Sequence, residues 1–256
     1  MILGLIGAGK MGEALLKAIA GQADVIVCEK SQERQQEIID RYGCRGSSLK
    51  HIGESADVII LAVKPQDFEN VLHEIEGTHA LVISIAAGIR ITKIESVLEE
   101  ARVVRVMPNT PCLVGEMAAG YSFGRKATEE DAALVEKLLG RAGLLVKLPE
   151  SQLDAVTGVS GSGPAFVARL IEHFAQAGIA QGLDPDVSLS LSIQTFIGTA
   201  ALLKDTGMQP EELIKMVSSP NGTTVAGRAV LESSHIKDII HDTIEAAVKR
   251  SKELGR

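Results

Sequence analysis

The chain has 256 residues, 45% hydrophobic and 23% charged, with a formal net charge of −7. A chain of this size buries roughly 75% of its unfolded surface and needs no disulfide or metal staple to hold a core. The acidic balance excludes the basic footprint of a nucleic-acid binder, and the absence of Trp with only 3% aromatic residues removes the usual base-stacking platforms. Cys28, Cys44 and Cys112 are an odd number without metal-ligand spacing and read as reduced thiols of a cytosolic protein, with no metal site expected. The opening "MILGLIGAG" is apolar but lacks the charged start and cleavage site of a signal peptide. No run is expected to reach membrane-spanning quality. The nearest, residues 187–203, carries no charge but is interrupted by Ser188, Ser190, Ser192, Gln194, Thr195 and Thr199.

Short apolar runs at residues 2–6, 25–28, 58–63, 81–85, 103–107, 118–123 and 144–148 read as strands. Helix-length segments such as 11–20 and 32–41 lie between the early ones. Strand alternating with helix predicts a mostly parallel, doubly wound sheet. After the first strand comes "LIGAGKMG", with Gly7, Gly9 and Gly12 in the G-x-G-x-x-G spacing. The motif follows a strand and opens an amphipathic helix, which is the context a dinucleotide-binding turn requires. Gly7 permits the tight turn, Gly9 lets the backbone approach a pyrophosphate, and Gly12 allows close packing of the helix. Ala8, Lys10 and Met11 complete the turn, and the helix start adds N–H groups and a positive dipole end.

The next strand ends at Glu29, 22 residues after Gly7, near the spacing of a ribose-binding acid. A carboxylate there favours NAD. Lys30, Ser31 and Arg34 follow at once and suit the 2′-phosphate of NADP, so both cofactors stay open. Further strand ends carry Ala62, Val63, Lys64 and Pro65 in "AVKP", Ala87 and Gly88 in "SIAAGI", and Pro108 and Asn109 in "VMPNTP". In an open parallel sheet the ligand lies at these carboxyl ends. The alternative for the prolines is plain: Pro65 starts a helix, and Pro108 and Pro111 stiffen a loop. The run Glu129-Glu130-Asp131 reads as the acidic first turn of a helix.

Past about residue 152 the strand pattern stops and helices run to the end, giving a boundary within residues 149–166. The division expected is residues 1–152 for the dinucleotide-binding domain and 153–256 for a helical one. "SGSGPAF" packs small residues where the helices begin. Asp184 before Pro185 marks a helix start, so "SLSLSIQ" is helical despite its strand-like alternation. In the last segment Ile236, Ile239, Ile240, Ile244, Ala247 and Val248 share one stripe. His173 reads as an ordinary helix residue, and His235 and His241 are expected to have no partner at metal spacing and are assigned no role.

The chain resembles the Δ1-pyrroline-5-carboxylate reductase family over its whole length, through "GLIGAGKMGEAL", "AVKPQ", "RVMPNTP", "TGVSGSGPAF" and "LIKMVSSPNGTTVAGRAVLE". The last stretch is the most specific. The resemblance implies a Rossmann-type domain followed by an all-α dimerisation domain. It implies a cytoplasmic homodimer, able to assemble further, that reduces a small cyclic imine to L-proline with NADPH or NADH. It places Ser219, Asn221, Gly222 and Thr223 in the substrate loop and puts the Thr224 hydroxyl on the imine nitrogen. Three positions depart from the family pattern. Arg228 stands at a usually aliphatic position, "SSHIKD" replaces a glycine-containing turn, and Glu29-Lys30 replaces the Asn-Arg of many relatives.

The loop "SSPNGTT" holds four hydroxyls and one amide but no acid, base or thiol. A cyclic imine takes a proton from water near neutral pH and is then already a hydride acceptor. Such a site needs orientation, dryness and a grip on a carboxylate rather than a strong general acid. The bland alternative is a helix cap, since Ser, Asn, Gly and Thr all belong there. A 3-hydroxyacid dehydrogenase has the same plan but carries a lysine on the first long helix of its second domain, and residues 162–181 contain none. An inactive dinucleotide-binding or assembly module would not need the intact loop.

Overall fold

The computed structural model describes residues 1–255. The chain divides into two compact units, Met1–Ser162 joined by the chain from Glu245 onward, and Gly163–Ile244.

The first unit is built on β1 (Ile2–Ile6), β2 (Asp24–Cys28), β3 (Arg45–Gly46), β4 (Val58–Leu61), β5 (Leu81–Ser84), β6 (Arg102–Met107), β7 (Met117–Phe123) and β8 (Gly143–Lys147). They form one sheet in the order β3-β2-β1-β4-β5-β6-β7-β8. Every pairing is parallel except β6 with β7, so the last two strands run against the others.

The alternation of side chains along each strand feeds two cores, one per face. Leu3, Leu5, Val27, Ile60 and Ile83 meet α1 (Lys10–Ile19) and α6 (Glu129–Leu139) through Leu15, Ile19, Val135 and Leu138. Ile6, Ile59, Leu61 and Val82 meet α3 (Leu49–Ser55), α4 (Pro65–Glu74) and α5 (Ile91–Glu95) through Ile52, Phe68, Leu72 and Ile94. Nearly continuous Val, Ile and Leu in the inner strands reflects cover on both sides. The sheet is the doubly wound one expected.

The second helix, α2 (Gln32–Tyr42), begins at Ser31, whose side chain accepts from Arg34 N, and ends at Gly43 in the left-handed conformation. The acidic run before α6 is its first turn, capped reciprocally by Thr128 and Asp131. Strand β3 was not expected: it has two residues, both exposed, and so no apolar pattern to read. From β1 the chain winds outward through β2 to β3, then crosses back to place β4 on the other side of β1. That reversal is the switch point where ligands lie in such sheets.

A short helix α7 (Leu153–Val156) and a π-type turn (Thr157–Gly161) close the first unit in sequence. The second contains α8 (Gly163–Ala180), α9 (Pro185–Thr206), α10 (Pro210–Met216) and α11 (Thr223–Ser233). The helix α12 (Ile236–Leu254) starts in the second unit and continues into the first. Asp184 caps α9 by accepting from Asp186 N and Val187 N, so "SLSLSIQ" is helix.

Helices α8 and α9 approach closely through small residues. A Cβ on Gly178 would lie 2.2 Å from Ser188 Oγ, which donates to Ala175 O at 2.7 Å. Phe174 and Phe196 add an edge-to-face pair at 5.2 Å. Along α9 only Ser188 and Ser192 are buried, while Leu189, Leu191, Ile193 and Ile197 are exposed. The expectation about membrane-spanning runs needs correction here. By length and composition α9 is apolar enough to cross a bilayer, at 22 residues with mean hydropathy 1.3, because its leucines, isoleucines and alanines outweigh the hydroxyls. The core helix of a soluble protein meets the same test.

Candidate dinucleotide turn and hydroxyl loop

Each glycine of the first turn has a distinct geometric reason. Gly7 has φ +90°, and a Cβ there would meet Ala62 O at 2.7 Å. A Cβ on Gly12 would meet Gly7 O at 2.2 Å, so the helix packs directly on the turn. A Cβ on Gly9 meets nothing within 4 Å. It caps α1 with no side chain, and the first N–H groups of that helix, at Lys10 and Met11, carry no side-chain cap. An open face before an uncapped helix start fits a pyrophosphate.

Around this turn Glu29 accepts from Ala8 N at 2.6 Å and from Ser31 N at 3.3 Å. Its own N–H donates to Gln35 Oε1. The acid that the spacing singled out thus sits against the glycine turn. Arg34 donates from Nε to Ala8 O at 2.9 Å, while its terminal nitrogens pair with Glu13 and Glu37. Glu13 also takes Arg41 and Tyr42. Burial works to raise the Glu13 carboxyl, but these hydrogen bonds outweigh it and hold the group below the usual carboxylate range. Arg34 is therefore engaged by acids. Lys30 is exposed and bridges to Asp67 at 3.2 Å, and Ser31 caps α2.

A cavity of about 380 Å³ opens beside Glu29, walled by Ile6, Cys28, Leu49 and Val71, with Lys30 and Asp67 among its lining residues. It is a mostly apolar slot at the carboxyl ends of β1 and β2. Nothing in the sequence motif points to Leu49 or Val71, which come from α3 and α4. The one available signal is that both helices must pack beside the switch point. Burial raises the Cys28 thiol above its ordinary value, and the neighbouring Glu29 charge adds to this.

The other strand ends are arranged as follows. Ala62 N donates to Ile6 O, setting Ala62 against the turn, and Val63 leads to Lys64, the cap of α4, with Pro65 in its first turn. Ala87 is exposed, and Gly88 has φ +78° with a would-be Cβ 2.8 Å from Leu254 O. Pro108 and Asn109 are buried. The Asn109 side chain accepts from Ala118 N and donates to Ser160 O, tying β7 to the π-type turn. Those bonds engage both ends of its amide.

In the second unit "SSPNGTT" joins α10 to α11. Gly222 N donates to Ser219 O at 3.0 Å across Pro220 and Asn221, and Asn221 has φ +60°. Pro followed by a left-handed residue is the pattern of a type II turn. Ser218 Oγ donates to Ile214 O and accepts from Arg228 Nη1 at 3.4 Å. Arg228 Nε lies 2.9 Å from Glu232 Oε1, near enough for an ion pair but not aligned as a hydrogen bond. The usually aliphatic position thus braces the start of the loop. Gly222 caps α11 without a side-chain bond, so Ser219, Thr223 and Thr224 are not used as caps. Ser219, Asn221, Thr223 and Thr224 are exposed at a helix start whose first N–H groups have no side-chain cap.

Elsewhere, ligand atoms of His241, Asp242 and Glu245 lie within 4.8 Å of one another, all exposed on α12. This corrects the expectation that His241 has no partner at metal spacing, since the helical turn brings Asp242 and Glu245 beside it. An exposed acidic group of this kind is an ordinary solvated helix face.

A parallel sheet with its switch point at a glycine turn, joined to a helical unit bearing an uncharged hydroxyl loop, defines a two-part dinucleotide-dependent oxidoreductase. Residues 150–254 match the family model described as pyrroline-5-carboxylate reductase dimerisation. Residues 2–88 match one described as NADP oxidoreductase, coenzyme F420-dependent. The chain is 40% identical to a pyrroline-5-carboxylate reductase of Methanosarcina acetivorans, covering 99% of this chain and 98% of that one. It is 36% identical to one from Arabidopsis thaliana, covering 99% and 95%.

Among solved structures, a pyrroline-5-carboxylate reductase from Coxiella burnetii superposes with TM-score 0.94 at 29% identity, covering 99% and 98%. The Plasmodium falciparum pyrroline carboxylate reductase with NADP bound gives 0.87 at 31%, covering 100% and 98%. The chain belongs to the pyrroline-5-carboxylate reductase family.

Proposed function

We propose that this protein reduces 1-pyrroline-5-carboxylate to L-proline with NADPH or NADH. The observation that carries the reading is the uncapped start of α11, where exposed hydroxyls meet a turn free of acids and bases. Full-length identity to named relatives supports the same substrate. The dinucleotide supplies a hydride when bound. The residues of this chain do the rest.

Gly7, Gly9 and Gly12, with Ala8, Lys10 and Met11, hold the pyrophosphate on backbone N–H groups. Glu29 lies on the adenosine ribose, with Lys30 and Ser31 beside it. The slot of Ile6, Cys28, Leu49 and Val71 receives the adenine. Ala62, Val63, Lys64, Pro65, Ala87, Gly88 and Pro108 line the remaining length, and Asn109 holds that wall in place.

In the loop the N–H groups at Thr223 and Thr224 grip the substrate carboxylate, helped by Ser219. Asn221 and Gly222 shape the turn. The Thr224 hydroxyl contacts the imine nitrogen and fixes the face presented to the hydride. The substrate arrives with its nitrogen protonated from water, so no side chain has to release a proton to a developing alkoxide. This separates the site from ketone reduction, and the lysine-free α8 agrees with it.

The exposed apolar side chains of α9 leave the second unit with surface that a second copy would cover. That favours a homodimer over a membrane span, and it agrees with the dimerisation family matched over this region. A cytoplasmic location and an absence of nucleic-acid partners complete the reading, with the domain division at residues 1–152 and 153–256. The test is direct: purified protein with pyrroline-5-carboxylate and either reduced dinucleotide must consume the cofactor and form proline. Loss of cofactor absorbance without proline would refute it.

A further inference from the structure

A second cavity, of about 510 Å³, lies within the first unit, bordered by Gly88, Arg90, Arg105, Glu150, Asp154 and Lys252. Its walls come from the turn after β5, from β6, from α7 and the segment before it, and from the end of α12. A volume of this order suits a small ligand.

The charges around it are unequal in number and in how they are used. Arg105 is 5% exposed and pairs from Nη1 with Glu150 Oε1 at 3.0 Å. A guanidinium has five N–H donors, and no other acceptor for them is found among the described residues. The same Glu150 oxygen also accepts from Ile91 N at 2.8 Å. Asp154 accepts from Ser251 Oγ at 2.6 Å. Both acids are thus already engaged. Arg90 and Lys252 are exposed and have no acidic partner among the described residues. Three cations therefore face two carboxylates in one enclosure, so positive charge is in excess by one. An anion bridging them relieves their mutual repulsion and gains charge-assisted hydrogen bonds, with Arg105 already held in place by burial.

We propose that this cavity binds a small polyanion of phosphate or polycarboxylate chemistry, at a site separate from the glycine turn. The test uses the full chain carrying Gly9→Asp, so that phosphate cannot be taken up at the dinucleotide turn. Gly9 has φ −64° and open space at its Cβ, so this variant should fold. Isothermal calorimetry with pyrophosphate and, separately, with citrate should show one site per chain for at least one probe, weakening as salt is added.

Arg90→Gln and Lys252→Met, both at exposed side chains, should each weaken that binding about tenfold, the loss of one charged contact worth about 1.4 kcal/mol. Lys50→Met, at a cation that pairs with Glu54 elsewhere, should leave it unchanged. Binding of pyrophosphate alone assigns a phosphate ligand, and binding of citrate assigns a polycarboxylate. No heat with either probe at millimolar concentration, or full binding retained in both the Arg90 and Lys252 variants, overturns the proposal. The reductase reading does not enter this test and would survive its failure.

Discussion

In the proposed site Glu29 lies on the adenosine ribose, where NADH and NADPH differ. Its carboxylate accepts from Ala8 N; the nearby Arg34 is held by Glu13 and Glu37, and the more exposed Lys30 bridges to Asp67. Glu29→Ala should shift preference toward NADPH by removing repulsion of the 2′-phosphate, while the loss of its hold on Ala8 raises KM for both cofactors. Steady-state kinetics with each dinucleotide measures the ratio, and equal losses for both would take Glu29 off the ribose. In the proposed mechanism Thr224 supplies the hydroxyl that contacts the imine nitrogen. Thr224→Val keeps the side-chain shape and removes the hydroxyl. Removing one positioned donor costs roughly 10²–10³ in turnover, and the lower end is expected because the imine is cationic before the hydride arrives. Ser219→Ala should act on KM more than on kcat. A Thr224→Val enzyme with unchanged kcat would remove that hydroxyl from the mechanism.

Helices α3 and α4 wall the slot beside β1 and β2 that is proposed to receive the adenine. Val71→Trp should fill part of its roughly 380 Å³ and raise KM for both dinucleotides at least tenfold, while overpacking at this buried position also lowers the melting temperature. Fluorescence titration of the introduced indole with NADPH reads the same effect, and unchanged cofactor affinity would move the adenine elsewhere. This wall marks a limit of what the sequence makes legible. The glycine turn, Glu29 and the hydroxyl loop are local patterns, so short stretches reveal them. Leu49 and Val71 reach the slot only because two helices pack beside one strand pair, and no spacing within either helix records that. Strand β3 escaped notice for a related reason, since two exposed residues carry no burial pattern. The bonds of Asn109 to Ala118 and Ser160 join residues 9 and 51 positions apart, beyond the reach of a motif. Where a strand is buried on both faces, as β1, β4 and β5 are, its continuous apolar run makes it legible at once.

At the scale of the whole molecule, apolar side chains along α9 are exposed in a single chain although the family model over this region describes dimerisation. Sedimentation should find a dimer or a higher assembly at working concentration. If sites draw on two chains, co-expression of a Gly9→Asp chain with a Thr224→Val chain should restore part of the activity that each homodimer lacks. Verified heterodimers with no recovery would show that each chain works alone. The proposed reaction joins everything above: a reduced dinucleotide on the glycine turn, a carboxylate on the start of α11, and a nitrogen protonated before it arrives. Its most direct measurement is the stoichiometry of one reaction mixture, with pyrroline-5-carboxylate and NADPH added to the purified wild-type protein. One L-proline formed for each NADPH consumed is the expected result, and cofactor consumption without proline, or no consumption at all, would contradict it.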